Sequence, residues 1–555
     1  MSELKKLIEN RLYLLSTLLV GVLSYGFSIT HYSMGIDDTS MGMYLDKGLL
    51  PETGRWVLFL LNKLVHISDF APYFSEVIGF ALLYVSALVF CELLMRISGD
   101  KLPVFSYIVF TAFFISNPLF SENDIYYLHN AADIGWLCIA VSLLISYEIY
   151  KDHKKGFKNN LSKICSAVAL LWVAAGCYES FIFVYMTCVL LIIFIDAAIR
   201  NEKIGFAKLI GTVFCAGIGC LAALICRIII CKIIPVLFGL DDVTSSYVGY
   251  RGALSGLKDV FFSGDAELFK ELVRDQIVTY HLNGFVYLPI ALNVITMMVL
   301  LAACITLAVR KKSPAFVFVW LFVEMIPFFQ SFILGYISPL RSAQVIPVTV
   351  GIMMAYIVYL ADGLKKKRKP VCIAVGIVFG ILILNSSSRL NYNFYLDRMR
   401  YENDKNLMLS ITEDAYRTAG VRYGDELNVY FAGHMSVPLA FRDEFYISVN
   451  DSRFKIMSSL VSIIDPSVHS LNKHVMDGKY FFDGEMVYPM FLWGKEAFNG
   501  TNDELVRFIN IHGAGLTTIH DMDEIRRAKE EAESMPSWPA DGSILVKDGY
   551  VLINV

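Results

Sequence analysis

Long hydrophobic runs fill the first two thirds of the chain and stop near residue 386. Eleven of them reach or approach the roughly 20 residues that an α-helix needs to cross the ~30 Å hydrocarbon core of a bilayer. They lie near residues 12–30, 73–95, 103–119, 134–150, 162–177, 180–198, 207–230, 285–309, 314–335, 343–361 and 371–386. The pattern predicts a polytopic α-helical membrane protein with about eleven transmembrane helices.

Basic residues alternate between the connecting segments, and this alternation predicts the orientation. Lys and Arg concentrate in the short segments 5–11, 96–101, 151–163, 200–208, 310–312 and 365–369. The intervening segments carry acidic clusters and include the longer loops near 31–72, 120–133 and 236–284. Because positive segments stay in the cytoplasm, the amino terminus is predicted inside and the carboxyl terminus outside. No cytoplasmic segment is long enough for a nucleotide-sugar domain, so any chemistry is expected on the extracytoplasmic face.

The chain changes character after residue 386, which predicts two domains: 1–386 in the membrane and an extracytoplasmic soluble α/β domain at 387–555. Residues 395–419 have helical periodicity and many charges, and 426–431 is a short strand-like run. Similar alternation recurs at 454–464 and 505–512, and 522–534 is typical of a helix. The end resembles a β-hairpin turned at Asp548-Gly549.

The composition excludes several classes of protein. Hydrophobic residues make up 56% of the chain and charged residues 18%, with a mean hydropathy of +0.54. The net charge of −4 gives no indication of nucleic-acid binding. All 11 cysteines lie in or beside hydrophobic runs, and the ten histidines form no spaced set of ligands. A disulfide framework in the tail and a histidine metal site are therefore not expected.

An acidic pair, Asp37-Asp38, follows the first predicted membrane helix. At the membrane–water boundary, partial desolvation and mutual repulsion raise the proton affinity of at least one carboxylate. Such a carboxylate can act as general base toward a hydroxyl group. The alternative is structural, because Asp38 or Thr39 could cap a helix over 40–50.

A second candidate region begins at Gly54-Arg55 and continues as a hydrophobic helix. At 100° per residue, Arg55, Asn62 and His66 fall within roughly 40° of one another and form a narrow polar stripe. This predicts an interfacial helix lying in the outer leaflet with the stripe turned away from lipid. Arg55 either faces a site or extends to the lipid headgroups.

Further charges lie at the predicted outer ends of hydrophobic runs. Arg227 and Lys232 interrupt the seventh run, and Arg341 precedes the tenth. Charged residues at that depth are costly and often functional, and a lipid phosphate is the natural anion there. Extension to the headgroups is the alternative. Tyr178-Glu179 lies between two runs on the same face, either as site residues or as an ordinary turn.

Taken together, these motifs resemble the Gtr-type (glucosyltransferase II) family of bacterial membrane enzymes in the GT-C superfamily. The matching residues are Gly35-Ile-Asp37-Asp38, Gly54-Arg55-Trp56, Cys177-Tyr178-Glu179-Ser180 and Met535-Pro-Ser-Trp-Pro-Ala-Asp-Gly-Ser543. One position departs from the pattern, because many relatives are expected to have Gln where this chain has Glu179.

The resemblance implies an inverting glycosyltransferase of the bacterial inner (plasma) membrane. Its partners would be membrane lipids, a polyprenyl-phosphate-linked sugar donor, with glucose or another hexose, and a cell-surface glycan acceptor. Asp37 would be the base and Asp38 its helper or alternate, with Asp124 as a second-loop acidic partner. Arg55, Arg227, Lys232 and Arg341 would meet the phosphate. No cofactor is required by these residues, and a divalent cation at the acidic cluster stays open.

Two other classes of function stay open. A transporter or flippase of a lipid-linked saccharide would need charges along a midplane path, usually with an internal repeat, and the sequence has no visible repeat. A surface-polysaccharide polymerase or acyltransferase would also act outside, although an acyltransferase should place a histidine within the membrane. The sequence specifies neither the sugar nor the acceptor.

Overall fold

The computed structural model describes residues 2–33, 49–65, 72–121, 130–152, 157–200, 205–240, 258, 262–264, 266–276, 290–326, 329–334, 342–364, 368–433 and 502–555. These residues form two compact units. The first contains the described residues up to Phe394 apart from Ser33, and the second contains Ser33 and the described residues from Tyr395 onward. The predicted domain boundary at 386/387 therefore falls eight residues before the division between the units, and the assignment of functions to the two domains stays a prediction.

The first unit is helical throughout its described residues. In chain order its helices are α1 (Ser2–Ile8), α2 (Arg11–Thr30), α3 (Leu49–Glu52), α4 (Trp56–Val65), α5 (Pro72–Ser98), α6 (Val104–Ile115), α7 (Asn130–Lys151), α8 (Phe157–Cys177), α9 (Phe181–Ile199), α10 (Phe206–Phe238), α11 (Ala266–Gln276), α12 (Ile290–Lys311), α13 (Ala315–Met325), α14 (Phe329–Leu334), α15 (Val345–Asp362) and the start of α16 (Arg368–Ala419). A 3₁₀ turn, Pro118–Phe120, follows α6.

Every predicted hydrophobic run overlaps one of these helices. Eight helices among the described residues are long and apolar enough to cross a membrane, namely α2, α5, α7, α8, α9, α10, α15 and α16. Two shorter apolar helices correspond to α6 with its 3₁₀ turn and to α13. The run predicted as one helix at 314–335 consists of α13 and α14. The chain is thus a mostly helical membrane protein, and the total of eleven crossings stays a prediction.

An ionic network joins α5, α7, α8 and α9 at one end of the first unit. Its nitrogen–oxygen pairs are Arg96–Glu92 (2.7 Å), Arg96–Glu148 (2.5 Å), Lys163–Glu148 (3.0 Å), Lys163–Asp152 (3.3 Å), Lys151–Asp196 (3.6 Å) and Arg200–Asp196 (3.9 Å). Asp196 is only 1% exposed, so its partners offset the cost of burying its charge. We call this end the basic end, because Arg96, Lys151, Lys163 and Arg200, which belong to the segments rich in Lys and Arg, lie there.

The second unit contains a four-stranded mixed sheet. After α16 its elements are β1 (Glu426–Ala432), α17 (Asp503–Ile511), β2 (Gly515–Thr518), α18 (Met522–Ala532), β3 (Ile544–Val546) and β4 (Val551–Asn554). The strand order is β2-β1-β4-β3, with β1 parallel to both neighbours and β3 antiparallel to β4. The hairpin at Asp548-Gly549 is present, with Gly549 at φ 95°. The alternation at 505–512 belongs to helix α17, and 454–464 lies outside the described residues.

Hydrophobic side chains cover both faces of this sheet. Val429 and Phe431 pack on one face with α17 and the last turns of α16. Tyr430 and Leu552 point to the opposite face, where α18 packs through residues such as Ile525. The alternation of side chains along each strand thus divides the core into two layers.

Candidate functional site

Four residues predicted at separate places in the sequence come together at the end of the first unit opposite the ionic network. Arg227, on α10, is 6% exposed. Its Nε donates to the carbonyl oxygen of Gly54 at 3.1 Å, and its Nη2 donates to that of Thr53 at 3.0 Å. Arg227 therefore holds the turn that joins α3 to α4.

Glu179, in the turn between α8 and α9, lies beside the same guanidinium group. Its Oε2 is 3.6 Å from Arg227 Nη2. The side chain of Arg227 is 7% exposed and that of Glu179 20%, so the two charges attract each other in largely desolvated surroundings. This contact gives a role to the glutamate at the position where Gln was expected.

Arg55 completes the group. Its guanidinium carbon lies 5.2 Å from the centroid of the Tyr178 ring, within the range of a cation–π contact. Because Arg55 directly follows the turn that Arg227 holds, its position depends on that turn. We call Thr53, Gly54, Arg55, Tyr178, Glu179 and Arg227 the arginine cluster.

Gly54 is required at this turn for two independent reasons. Its φ of 84° lies in the left-handed region, where a residue with a Cβ is strained. A β-carbon built on Gly54 would also lie 1.8 Å from Arg227 Nη2. The turn closes with Gly54 N–H donating to Pro51 and Arg55 N–H donating to Leu50, an ending typical of a helix that stops at glycine.

Helix α4 packs tightly against the bundle beside this turn. Trp56 stacks on Trp172 with ring centroids 4.9 Å apart, and a β-carbon on Gly176 would lie 2.0 Å from the Trp56 indole nitrogen. Asn62, predicted in the polar stripe, is 2% exposed. Its amide nitrogen donates to its own helix at Leu58. The predicted stripe thus turns inward, while His66 lies outside the described residues.

The structure does not bring Lys232 into the arginine cluster. Lys232 follows Arg227 by five residues on α10, which places it roughly 140° around the helix. It is exposed, on the same side as lipid-facing Ile225 and Val236. The predicted site residues Asp37, Asp38, Asp124 and Arg341 lie outside the described residues.

Five buried polar residues were not among the predicted site residues, although Ser180 belongs to a motif quoted above: Ser116, Asn117, Ser180, Ser342 and Gln344. Each is at most 3% exposed. Ser180 directly follows the Tyr178-Glu179 pair, and the others lie where α6 ends and α15 begins. Neutral polar residues at the ends of hydrophobic runs are the signal that could have identified them, although ordinary helix caps share it.

Among the described residues, no three His, Cys, Asp or Glu side chains come together in a group that could hold a metal ion. Asp37, Asp38 and Asp124, the acidic residues at which a divalent cation stays open, lie outside the described residues.

Comparison with known proteins gives one match. No curated protein and no solved structure matches the chain. The family model of glucosyl transferase GtrII matches residues 26–384, which is more than half of the chain and includes the whole arginine cluster. The resemblance inferred from the short motifs is therefore confirmed, and the chain belongs to the GtrII glucosyl transferase family.

Proposed function

We propose that this chain is an inverting GT-C-type enzyme that moves a hexose, with glucose as first candidate, from polyprenyl phosphate to a cell-surface glycan. The reaction takes place on the extracytoplasmic face of the bacterial inner membrane. The observation that carries the proposal is the arginine cluster, which lies at the end of the bundle opposite the basic end. By the positive-inside rule, the cluster is then outside.

The depth of the cluster suits a lipid phosphate. Arg227 is 21 residues after Phe206, the first residue of α10, which corresponds to about 32 Å at a rise of 1.5 Å per residue. The hydrocarbon core is about 30 Å thick. A cation at this position meets the outer leaflet where phosphate groups lie.

The contacts suggest different tasks for the two arginines. Arg227 donates to two main-chain carbonyls, so we assign it the support of the turn and a contribution of positive charge. Arg55 is half-buried and lies at the start of α4, so we assign it the direct contact with the donor phosphate. Lys232, on the exposed side of α10, would bind surrounding lipid headgroups.

In the proposed step, the carboxylate of Asp37 removes the proton from an acceptor hydroxyl group. The resulting oxygen attacks the anomeric carbon from the face opposite the phosphate, and the configuration inverts. The bond from the anomeric carbon to the phosphate oxygen breaks, and polyprenyl phosphate leaves with the electron pair. Arg55 stabilises the charge that develops on this leaving group. Asp38, Asp124 and Arg341 are proposed as neighbours of the reacting groups.

Membrane vesicles that contain the protein and radiolabelled glucosyl phosphopolyprenol test this function. The wild type should consume the donor and transfer label to envelope glycan. Asp37→Asn preserves the size of the side chain but removes the proton acceptor. Transfer should therefore fall roughly 10²–10⁴-fold, with donor binding retained.

Asp38→Asn is the matched control for that experiment. If only Asp38→Asn loses activity, Asp38 is the base and Asp37 its helper, and the mechanism is otherwise unchanged. If both variants transfer sugar at the wild-type rate, neither aspartate is the base. If the wild type moves labelled donor between leaflets without consuming it, the protein is a flippase and the proposed reaction is wrong.

A further inference from the structure

Five neutral polar side chains lie buried at the ends of three packed helices, and we call them the amide cluster. Asn117 follows α6 and Ser180 precedes α9, while Gln344 precedes α15. Ser116 and Ser342 are their neighbours in sequence. All five belong to the first unit, and all are at most 3% exposed.

The packing of α6 against α15 brings the end of α6 beside the start of α15. The hydroxyl group of Ser106 donates to the carbonyl oxygen of Ala355 at 3.0 Å. Gly351, one turn before Ala355, packs against α6 one turn after Ser106. The two helices are therefore antiparallel, so the end of α6, which Ser116 and Asn117 follow, lies beside the start of α15, which Ser342 and Gln344 precede.

The packing of α9 against α15 brings Ser180 to the same level. The side-chain nitrogen of Lys101, just before α6, donates to the carbonyl oxygen of Ile199, the last residue of α9, at 3.4 Å. Helix α6 therefore begins where α9 ends, and because α6 is antiparallel to α15, α9 and α15 are parallel. The rings of Phe194 and Tyr356 lie 5.3 Å apart, so Ser180, before α9, lies close to the level of the residues that precede α15.

Six polar side-chain atoms of the cluster lack hydrogen-bond partners within the described part of the chain, whereas Asn117 Oδ1 accepts a hydrogen bond from Leu119 N–H at 3.1 Å. Neither the oxygen nor the nitrogen of the Gln344 amide has one. The Asn117 Nδ2 and the hydroxyl groups of Ser116, Ser180 and Ser342 share this property. Native proteins satisfy most buried polar groups, and an exception requires an explanation such as a ligand.

The chemistry of the cluster fits a sugar. Amides and hydroxyls offer both donors and acceptors without charge, as the hydroxyl groups of a hexose do. Beside Ser180 the rings of Phe181 and Trp136 lie 5.4 Å apart and are fully buried, so the surroundings of the cluster are apolar. Ser180 directly follows Glu179 of the arginine cluster, so a neutral polar site adjoins a cationic one, as a sugar phosphate requires.

We propose that the amide cluster binds the hydroxyl groups of the transferred sugar while the arginine cluster binds its phosphate. This assignment rests on the proposed function and adds a sugar-recognition site to it. Gln344 is the central residue, because its amide oxygen can accept a hydrogen bond from a sugar hydroxyl group and its amide nitrogen can donate one.

Gln344→Leu separates this role from a structural one. Leucine has a similar volume and removes a buried polar group without a partner, so thermal stability in detergent should stay the same or rise. The kcat/KM for glucosyl phosphopolyprenol should nevertheless fall at least tenfold. Ser106→Ala is the control on the same pair of helices, because it removes a satisfied hydrogen bond. It should lower stability and leave the KM for the donor unchanged.

Binding measurements with two lipids give a readout independent of turnover. Gln344→Leu should weaken binding of glucosyl phosphopolyprenol at least tenfold and leave binding of unglycosylated polyprenyl phosphate unchanged. If the substitution weakens binding of both lipids equally, or of neither, the cluster does not bind the sugar. Its polar atoms would then bind buried water. If the wild type binds the glucosylated lipid more tightly than the unglycosylated one but never consumes it, the sugar site stands and the proposed transferase activity is wrong.

Discussion

At the scale of single residues, Arg227 shows how one buried cation can stabilise a loop in a membrane protein. Its hydrogen bonds go to the main chain of Thr53 and Gly54, and its charge is next to Glu179. Hydrogen bonds from charged donors are stronger than those between neutral groups. A single side chain therefore determines both the position of the turn and the charge balance around it.

Arg227→Met should destabilise the protein because it leaves Glu179 without this partner. Breaking a buried ion pair by removing one member costs about 3–5 kcal/mol. We expect a loss near the lower limit, since a fifth of the Glu179 side chain is exposed. Thermal unfolding in detergent measures it. Glu179→Gln in the Arg227→Met background should recover part of the loss, and fully additive losses would contradict the pairing. Lys208→Met, at the other end of α10, is the control for removing a cation.

The partners of these residues explain what the sequence could predict at this scale. Tyr178, Glu179 and Arg227 were predicted as site residues from their position at the ends of hydrophobic runs, and Arg55 from the polar stripe of the helix that follows Gly54. The contacts that join them were not predicted, because Arg227 donates to main-chain carbonyls, which every residue has, and its ion pair with Glu179 joins residues far apart in the sequence. The separation of Lys232 from Arg227, by contrast, follows from helical geometry alone.

At the scale of elements, the α3–α4 turn determines how α4 packs. The sequence predicted a helix after Gly54, and the structure has one at Trp56–Val65 with Asn62 turned inward, while His66 lies outside the described residues. The site where α4 packs could not be predicted, because it depends on Trp172 and Gly176, more than a hundred residues later. Packing between elements distant in sequence is decided by shape, and the hydrophobic pattern records only which positions are buried.

Gly54→Ala tests the turn without changing any charge. The alanine would have to adopt the left-handed conformation, which costs about 1–3 kcal/mol for a residue other than glycine, and its methyl group would displace the Arg227 guanidinium. We expect slower donor turnover and faster amide exchange in peptides covering α4, measured by hydrogen–deuterium exchange. In the Arg227→Met background the steric part of the effect should disappear. Unchanged exchange in the single variant would contradict the proposed dependence of α4 on the turn.

At the scale of the whole molecule, the alternation of basic segments predicts which side of the membrane each segment faces. A reporter enzyme that is active only outside the cytoplasm should be active when fused after residue 386. Fused near Lys155 it should be silent, because that segment is rich in positive charge. The reverse result would place the arginine cluster inside and remove the polyprenyl-phosphate mechanism, while the helix packing would be unaffected.

The ionic network at the basic end has a consequence for biosynthesis. Glu92 and Arg96 pair within α5 before any other member has been made. The later members add equal numbers of acids and bases, since Glu148, Lys151, Asp152 and Lys163 arrive with α7 and α8, and Asp196 and Arg200 with α9. The members of the network are thus equal in positive and negative charge after α8 and again after α9. Insertion of these helices in order would leave no member of the network without an oppositely charged partner, whereas a chain that misinserts one of them would.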